Sequence, residues 1–258
     1  MSPKAVSLKR EIPQLTLFLF IAGFLSGVVN AIAGGGTFLT FGAMTLAGLP
    51  PIAANATSSI TQFPGYITST LAYRREFAGL WKSALILGLV SALGALGGAL
   101  FLISLSNPAF RAMVPWLLIA ATAVFAAGPK LRPKHLVESH PATPLGLALQ
   151  AVTSFYGGFF GAGMGIMMLA SLGLASGGDY HRLNALKNFL SIVIAAVAII
   201  VFSTAGAVSW LHAAIMVPAV GLGGYAGVAI ARRVPQALLR WLVVAAGLGL
   251  AIYYFVTG

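Results

Sequence analysis

The chain contains no cysteine and very few charged residues. The absence of cysteine excludes disulfides, thiolate metal sites and cysteine nucleophiles. Charged residues make up only 7% of the 258 residues, whereas a soluble domain carries roughly 25%. With 59% hydrophobic residues, a soluble protein of this length could not cover its surface, so we expect the lipid bilayer to be its main solvent. No polar segment is long enough to build a large soluble domain.

Acidic residues are the scarcest charged type. The sequence has Glu11, Glu76, Glu138 and Asp179, and we expect all four in loops or at the ends of apolar segments. Without a carboxylate inside an apolar segment, a cation pump is disfavoured and an anion pathway is favoured. A role of Asp179 or His181 in proton coupling stays open, although a turn is the simpler interpretation of Asp179.

Signatures of enzymes and ATPases are missing as well. The sequence has no Gly-x-Ser-x-Gly, His-Glu-x-x-His or P-loop pattern, so we predict neither an enzyme nor a cofactor. Any active transport must then be secondary or depend on another subunit. His135, Glu138 and His140 lie in a proline-bounded polar linker, where we expect a solvated loop rather than a metal site.

Basic residues give the chain a net charge of +11. Most stand in short clusters at the ends of apolar runs, such as 9–10, 74–75 and 232–233, which is typical of cytoplasmic-side anchors. No patch of alternating basic and aromatic residues indicates nucleic-acid binding. Residues 31–33 have the pattern of a signal-peptidase site, but a related element recurs at 162–165, so we expect the first segment to be retained.

The sequence matches itself when it is shifted by 129 residues. The pairs include residues 33–36 with 162–165, Asn55 with Asn184, and Trp81 with Trp210. A duplicated, glycine-interrupted, apolar chain is typical of proteins that move solutes across a membrane.

Eight apolar segments can be marked along the chain, most of them long enough to span a bilayer. They are 14–33, 56–73, 80–103, 111–127, 144–161, 185–203, 210–230 and 237–257. A further apolar stretch follows the glycine cluster of each half, at 37–47 and 166–175, and each is too short to cross alone.

We therefore predict an all-α polytopic membrane protein with about eight transmembrane helices in two four-helix structural repeats. Each repeat opens with a glycine-broken helix. Residues 1–128 form the first repeat, 129–143 the connecting loop and 144–258 the second repeat. The sequence leaves open whether the repeats are parallel or inverted, and on which side the N-terminus lies.

The two glycine clusters are the first candidates for a substrate site. Irregular backbone within a membrane is tolerated only where it is buried in protein or lines a cavity. Each cluster also precedes a half-helix, whose N-terminus offers free N–H groups to an anion. Tight helix packing is the alternative, and we favour it for glycines inside continuous apolar runs. The predicted site glycines are Gly34, Gly35, Gly36, Gly161, Gly163 and Gly165.

A run of uncharged polar residues follows the first cluster. N-capping of a helix accounts for one such residue, but not for six. The run extends into an apolar segment and therefore predicts a polar cavity wall. It contains Asn55, Thr57, Ser58, Ser59, Thr61 and Gln62, all except Thr61 assigned to substrate binding.

Lys187 is the one basic residue that enters a predicted helix rather than ending it. Because an ammonium in hydrocarbon costs about 2.5–3.5 kcal/mol, we predict that Lys187 faces a cavity and meets an anion there. Snorkelling to the interface is the alternative. Asn184 and Asn188 share its helix face at spacings that place them beside it. Arg182 is interpreted as an interface anchor rather than a ligand.

These motifs together resemble the sulfite exporter TauE/SafE-like permeases. The resemblance covers nearly the whole chain and rests on Gly27–Gly36 (GVVNAIAGGG), Pro51–Ser58 (PIAANATS), Gly157–Gly165 (GGFFGAGMG) and Asn184–Asn188 (NALKN). It implies a duplicated membrane fold of seven to eight helices. It also implies transport of sulfite, organosulfonates or related small sulfur or carboxylate anions.

The function that we predict is a secondary membrane transporter of small anions, of the sulfite, organosulfonate or carboxylate class, working by alternating access between the two repeats. Its partners would be the anionic substrate, the lipid bilayer and a coupling ion, proton or sodium. Its expected location is the bacterial cytoplasmic (inner) membrane, with several crossings. The alternatives are an integral-membrane enzyme on a lipid-like substrate, which would need Asp179, His181 and His212 to converge, and a non-transporting membrane subunit.

Overall fold

The computed structural model describes residues 3–127, 142–176, 179–231 and 236–257. All regular structure in these ranges is helical, which confirms the all-α prediction. The helices are α1 Pro3–Ala33, α2 Thr37–Leu46, α3 Pro51–Thr61, α4 Phe63–Ala72, α5 Trp81–Ser104, α6 Asn107–Ala127, α7 Pro144–Phe159, α8 Met164–Ser176, α9 Tyr180–Thr204, α10 Trp210–Ala231 and α11 Gln236–Thr257.

The predicted half-helices are present as α2, of 10 residues, and α8, of 13 residues. The predicted single segment 56–73 was wrong, because it is divided between α3 and α4. Pro64 stands in the first turn of α4 and has no amide hydrogen to continue the ladder of α3. The helical ladder is therefore interrupted at Gln62, inside the polar run, although the backbone of Gln62 keeps helical angles of φ −76° and ψ −20°.

Two helix starts are fixed by side-chain caps. Thr143 accepts a hydrogen bond from the amide of Gly146 at 3.1 Å and begins α7. Asp179 accepts from the amides of His181 and Arg182, at 2.9 and 3.1 Å, and begins α9. A carboxylate at this position satisfies orphan amides and complements the helix dipole. Capping is therefore the role that the structure gives Asp179.

Helices of the two halves begin at the spacing of the sequence match. The starts of α5 and α10 are Trp81 and Trp210, and those of α3 and α9 are Pro51 and Tyr180, in both cases 129 residues apart. The long interfaces connect different halves, because α1 packs against α10 and α7 against α5. Whether the halves are symmetric repeats with four crossings each stays a prediction.

Small residues allow these two interfaces to be close. If Gly27 of α1 carried a side chain, its Cβ would lie 2.7 Å from the amide nitrogen of Gly224 in α10, which is too close for non-bonded atoms. A Cβ on Gly158 of α7 would lie 2.7 Å from the Cα of Ala95 in α5. The packing interpretation of the glycines in continuous apolar runs is confirmed here, because Gly94, Gly98, Gly223 and Gly227 face the same interfaces.

The distribution of polarity is that of a membrane protein. Four helices within the described ranges are long and apolar enough to cross a bilayer, at Pro13–Ile32, Trp81–Ser104, Tyr180–Thr204 and Trp210–Ala229. Large apolar side chains face outward, for example Leu85, Leu89 and Leu93 along α5. Polar side chains such as Gln62 and Lys187 are instead fully buried. This arrangement suits a lipid solvent and places the polar chemistry inside.

Candidate functional site

The first glycine break, residues 34–36 between α1 and α2, and the second, residues 160–163 between α7 and α8, meet inside the protein. A Cβ on Gly34 would lie 2.6 Å from the carbonyl carbon of Gly165, so the two backbones touch. Gly34 and Gly163 have positive φ angles of 80° and 82°, and Gly161 has 67°, which side chains rarely tolerate. Gly36 differs, because its φ is −60° and its role is close packing against Asn30. The predicted glycine clusters are thus brought together at one point.

Some first-turn amides of the half-helices α2 and α8 already donate hydrogen bonds to backbone carbonyls. In α2 the amides of Phe38 and Leu39 donate to the carbonyls of Gly35 and Gly36, at 3.2 and 2.8 Å. In α8 the amide of Met164 donates to the carbonyl of Gly161 at 3.1 Å. Anion binding at these N-termini stays a prediction, and side chains are the stronger candidates.

The end of α1 is held by side chains of α9. Asn184 Nδ2 donates to the carbonyl of Ala31, and Lys187 Nζ donates to the carbonyl of Asn30, both at 2.9 Å. Tyr180 Oη bonds the carbonyl of Ile32. Carbonyls at a helix C-terminus lack partners within the helix and attract cations. These contacts give Asn184 and Lys187 a structural partner that the sequence pattern did not predict.

A related contact holds the end of α7. Asn55 Nδ2, from α3, donates to the carbonyl of Phe159 at 2.9 Å. Asn55 and Asn184 are equivalent in the sequence match, and each binds the end of a helix in the opposite half. The structure also rules out N-capping by Asn55 or Thr57, because α3 begins at Pro51.

The first polar stripe, along α3, consists of Asn55, Ser58, Ser59 and Gln62. Ser58 Oγ lies 2.7 Å from Thr40 Oγ1 of α2. Gln62 Nε2 donates to Ser26 Oγ at 2.7 Å and to Thr40 Oγ1 at 3.0 Å. Gln62 Oε1 accepts from Asn30 Nδ2 at 3.1 Å. This network joins α1, α2 and α3. Thr57 lies outside it, because its Oγ1 accepts from the amide of Ser209 at 2.9 Å.

The second polar stripe, along α9, consists of Asn184, Lys187, Asn188 and Ser191, spaced to share one helix face. All four side chains are 0% exposed, so snorkelling of Lys187 was wrong. Among the residues that the structure describes, both polar atoms of Asn188 and the hydroxyl of Ser191 have no hydrogen-bond partner. Buried groups without partners are costly, and they are explained by a functional role or by a bound water, ion or ligand.

A small cavity lies where the breaks and the stripes approach each other. Its volume is about 10 Å³, close to the room that one water molecule needs. Ser59 faces it beside Gly161, and its hydroxyl has no hydrogen-bond partner in the part of the chain that the structure describes. Ile194 and Ala195 of α9 line it one turn beyond Ser191. The remaining lining includes Thr37, Tyr66, Gly157, Met164 and Ala198.

Several buried polar residues of this region were not predicted as site residues, among them Thr40, which bonds Ser58 and Gln62. Asn30 and Ser26 sit in an apolar run, and their isolation as polar residues was the available signal. Ser191 could have been found by the match itself, because it is the equivalent of Gln62. Tyr66 contacts the side chains of Asn30 and Thr37 and extends the network toward the cavity.

The described residues hold no group of three His, Cys, Asp or Glu side chains that could bind a metal ion. His212 pairs with Ser209, at 2.7 Å between Nδ1 and Oγ, and His181 packs against Tyr73. The spaced residues His135, Glu138 and His140 lie outside the described ranges.

Comparisons with known proteins identify the family of this chain. A model of the family described as "Sulfite exporter TauE/SafE" matches residues 19–254. The chain belongs to the sulfite exporter TauE/SafE family. The predicted resemblance is thereby confirmed, and with it an integral membrane protein of transporter type.

Relatives of this TauE/SafE protein carry transporter names. A "Probable membrane transporter protein ORF9" of Sinorhizobium sp is 32% identical over 246 residues, covering 93% of this chain and 92% of the relative. A "Probable membrane transporter protein" of Haemophilus influenzae is 26% identical, covering 90% and 91%. The "Probable membrane transporter protein YfcA" of Escherichia coli K12 is 27% identical, covering 90% and 86%.

Proposed function

We propose that this TauE/SafE-family protein is a secondary transporter of small anions in the bacterial cytoplasmic membrane. The proposed substrates are sulfite, organosulfonates or related sulfur-containing or carboxylate anions. One observation carries the proposal. The ammonium of Lys187 is fully buried, and its hydrogen-bond acceptor is a backbone carbonyl rather than a carboxylate. A buried charge without a counter-charge is destabilising, so a binding partner of opposite charge is favoured.

The proposed site lies between the second polar stripe, Ser59 and the two glycine breaks. Asn188, Ser191 and Ser59 supply hydrogen-bonding groups that have no partner within the described part of the chain. Asn55, Ser58 and Gln62 bond to protein groups in this conformation, so we assign them to holding the breaks in place. Gly34 and Gly165 permit the backbone contact that closes the site.

The proposed mechanism is alternating access. The cavity is too small for an anion in this conformation, so substrate entry requires helices to separate. Residues 1–128 and 144–258 are proposed as two repeats of four crossings each. The main packed groups combine helices of both halves, with α1 and α4 against α10, and α7 and α9 against α5. Relative movement of these groups would open the site to one side and then the other, coupled to a proton or sodium gradient.

Uptake into proteoliposomes tests the proposal. Purified protein is reconstituted, and uptake of radiolabelled sulfite and of methanesulfonate, a small organosulfonate, is followed with and without proton or sodium gradients. We expect uptake above that of empty liposomes and a loss of it in Lys187→Met. The matched control is Lys82→Met, since Lys82 is exposed at the start of α5. Equal uptake by Lys187→Met and the wild type would refute the assigned site.

A further inference from the structure

The two polar stripes contain a single charged side chain between them. The first stripe is neutral, whereas the second has the ammonium of Lys187 among neutral groups. An ammonium has three N–H donors, and the carbonyl of Asn30 receives one of them. The charge that the two stripes can offer to a ligand is therefore at most one positive unit.

The number of charges decides which ligands can be bound at low cost. A singly charged anion beside Lys187 leaves the buried site neutral. A doubly charged anion leaves one uncompensated negative charge away from water, and a neutral ligand leaves the ammonium uncompensated. Charge matching therefore separates ligands that are otherwise alike in shape.

The neutral groups of the site suit an oxygen-rich ligand. Toward the described residues, the Asn188 amide has a free donor and a free acceptor, and the hydroxyls of Ser191 and Ser59 are free as well. These three side chains are all at most partly exposed, and Asn188 and Ser191 are fully buried. Asn188 and Ser191 lie on the same helix face as Lys187, and short hydrogen-bonding groups beside an ammonium match the oxygens of a sulfonate or carboxylate.

We propose that the second polar stripe selects singly charged oxyanions, with Lys187 as the neutralising group and Asn188 as the main hydrogen-bonding side chain, and rejects doubly charged oxyanions of the same shape. This inference rests on the proposed function and specifies the charge class of its substrate. Hydrogensulfite and organosulfonates belong to the accepted class, whereas sulfate and fully deprotonated sulfite belong to the rejected class.

Methanesulfonate and sulfate are a sharp pair of probes. They are nearly isosteric, and they differ by a methyl group in place of an oxygen and by one unit of charge. In proteoliposomes containing the full chain, we expect uptake of methanesulfonate to exceed that of sulfate by about tenfold or more, as an uncompensated buried charge demands. Methanesulfonate in excess should also compete with labelled sulfite, while sulfate should not.

Variants of Lys187 and Asn188 test the assigned groups. Asn188→Asp keeps the volume of the side chain but adds a carboxylate beside Lys187, so we expect it to abolish methanesulfonate uptake. Asn107→Asp is its matched control, because Asn107 is exposed at the start of α6. Lys187→Arg keeps the charge and should keep the preference for methanesulfonate over sulfate, even at a reduced rate. Elution as a single species in detergent verifies that each variant folds.

The possible results separate this inference from the proposed function. Sulfate uptake as fast as that of methanesulfonate would overturn the charge selection and leave anion transport standing. Full methanesulfonate uptake by Asn188→Asp would overturn the assigned site. If methanesulfonate, sulfate and sulfite are all excluded from the proteoliposomes, the proposed function and this inference are overturned together.

Discussion

The two polar stripes occupy positions 129 residues apart in the chain, yet their side chains are used differently. In the first stripe, Ser58 and Gln62 are bonded to neighbours on α1 and α2. In the second stripe, the equivalents Lys187 and Ser191 include a charge and a hydroxyl without a partner. Both halves thus have a polar stripe at the same position. The groups of the first stripe stabilise the fold, whereas groups of the second stripe stay available to a ligand.

Two single variants place the residue of one stripe at the equivalent position of the other, and Ser58→Lys should have the largest effect on the free energy of unfolding. Ser58→Lys buries an ammonium where Ser58 now bonds Thr40, and we expect a loss of about 3 kcal/mol of unfolding free energy. Lys187→Ser removes a buried charge, but it also removes the bond to the Asn30 carbonyl and most of a fully buried side chain, so we expect a smaller loss of about 1–2 kcal/mol. Unfolding in mixed micelles measures both. A stable Ser58→Lys protein would show that the stripes are equivalent environments.

Gln62→Leu should give the next largest effect. It removes hydrogen bonds to Ser26 and Thr40 and leaves those buried partners and Asn30 without their amide, so we expect a loss of about 2–3 kcal/mol. The matched control is Gln150→Leu, since Gln150 Nε2 makes one bond, to Ser91 Oγ at 2.8 Å. The same unfolding measurement applies. An equal loss in both variants would argue against a cooperative network in the first stripe.

Asn55→Ala and Asn184→Ala compare the two contacts that hold helix ends. Each variant removes an amide that donates to a buried carbonyl, of Phe159 or of Ala31. We expect each to lose about 1–2 kcal/mol, and the double variant to lose their sum because the two contacts are separate. Thermal and denaturant unfolding of the three proteins gives the values. A loss in one variant alone would break the proposed equivalence.

Asn188→Leu should have the smallest effect on stability. Its amide has no partner in the described ranges, so a similar-sized apolar side chain should change the unfolding free energy by no more than about 0.5 kcal/mol. Methanesulfonate uptake should nevertheless fall strongly. A large loss of stability would instead assign Asn188 to the structural network.

Much of the helical layout could be predicted from the sequence, because long apolar runs and helix breakers are local signals. The half-helices α2 and α8 followed from glycines flanking short apolar stretches. The division of 56–73 was missed, although Pro64 was its signal. Apolar length alone cannot show how many segments cross, since four described helices reach the length and hydropathy of a span.

The candidate site was only partly predictable. Periodicity placed Asn184, Lys187 and Asn188 on one face, as the structure has them. The hydrogen-bond partners of Asn184 and Lys187 could not be predicted, because Ala31 and Asn30 lie more than 150 residues away and meet α9 only through packing. The same holds for Ser59, whose position beside Gly161 depends on two distant breaks.

The interface between Gly27 of α1 and Gly224 of α10 has a consequence for biosynthesis. The first helix enters the membrane early, but the helix that covers its glycine face is synthesised near the end of the chain. Until α10 is inserted, that face of α1 is exposed to lipid or to the insertion machinery. We therefore expect α1 to reach its native contacts only late in translation, and a chain that ends before Trp210 to leave α1 without its main packing partner.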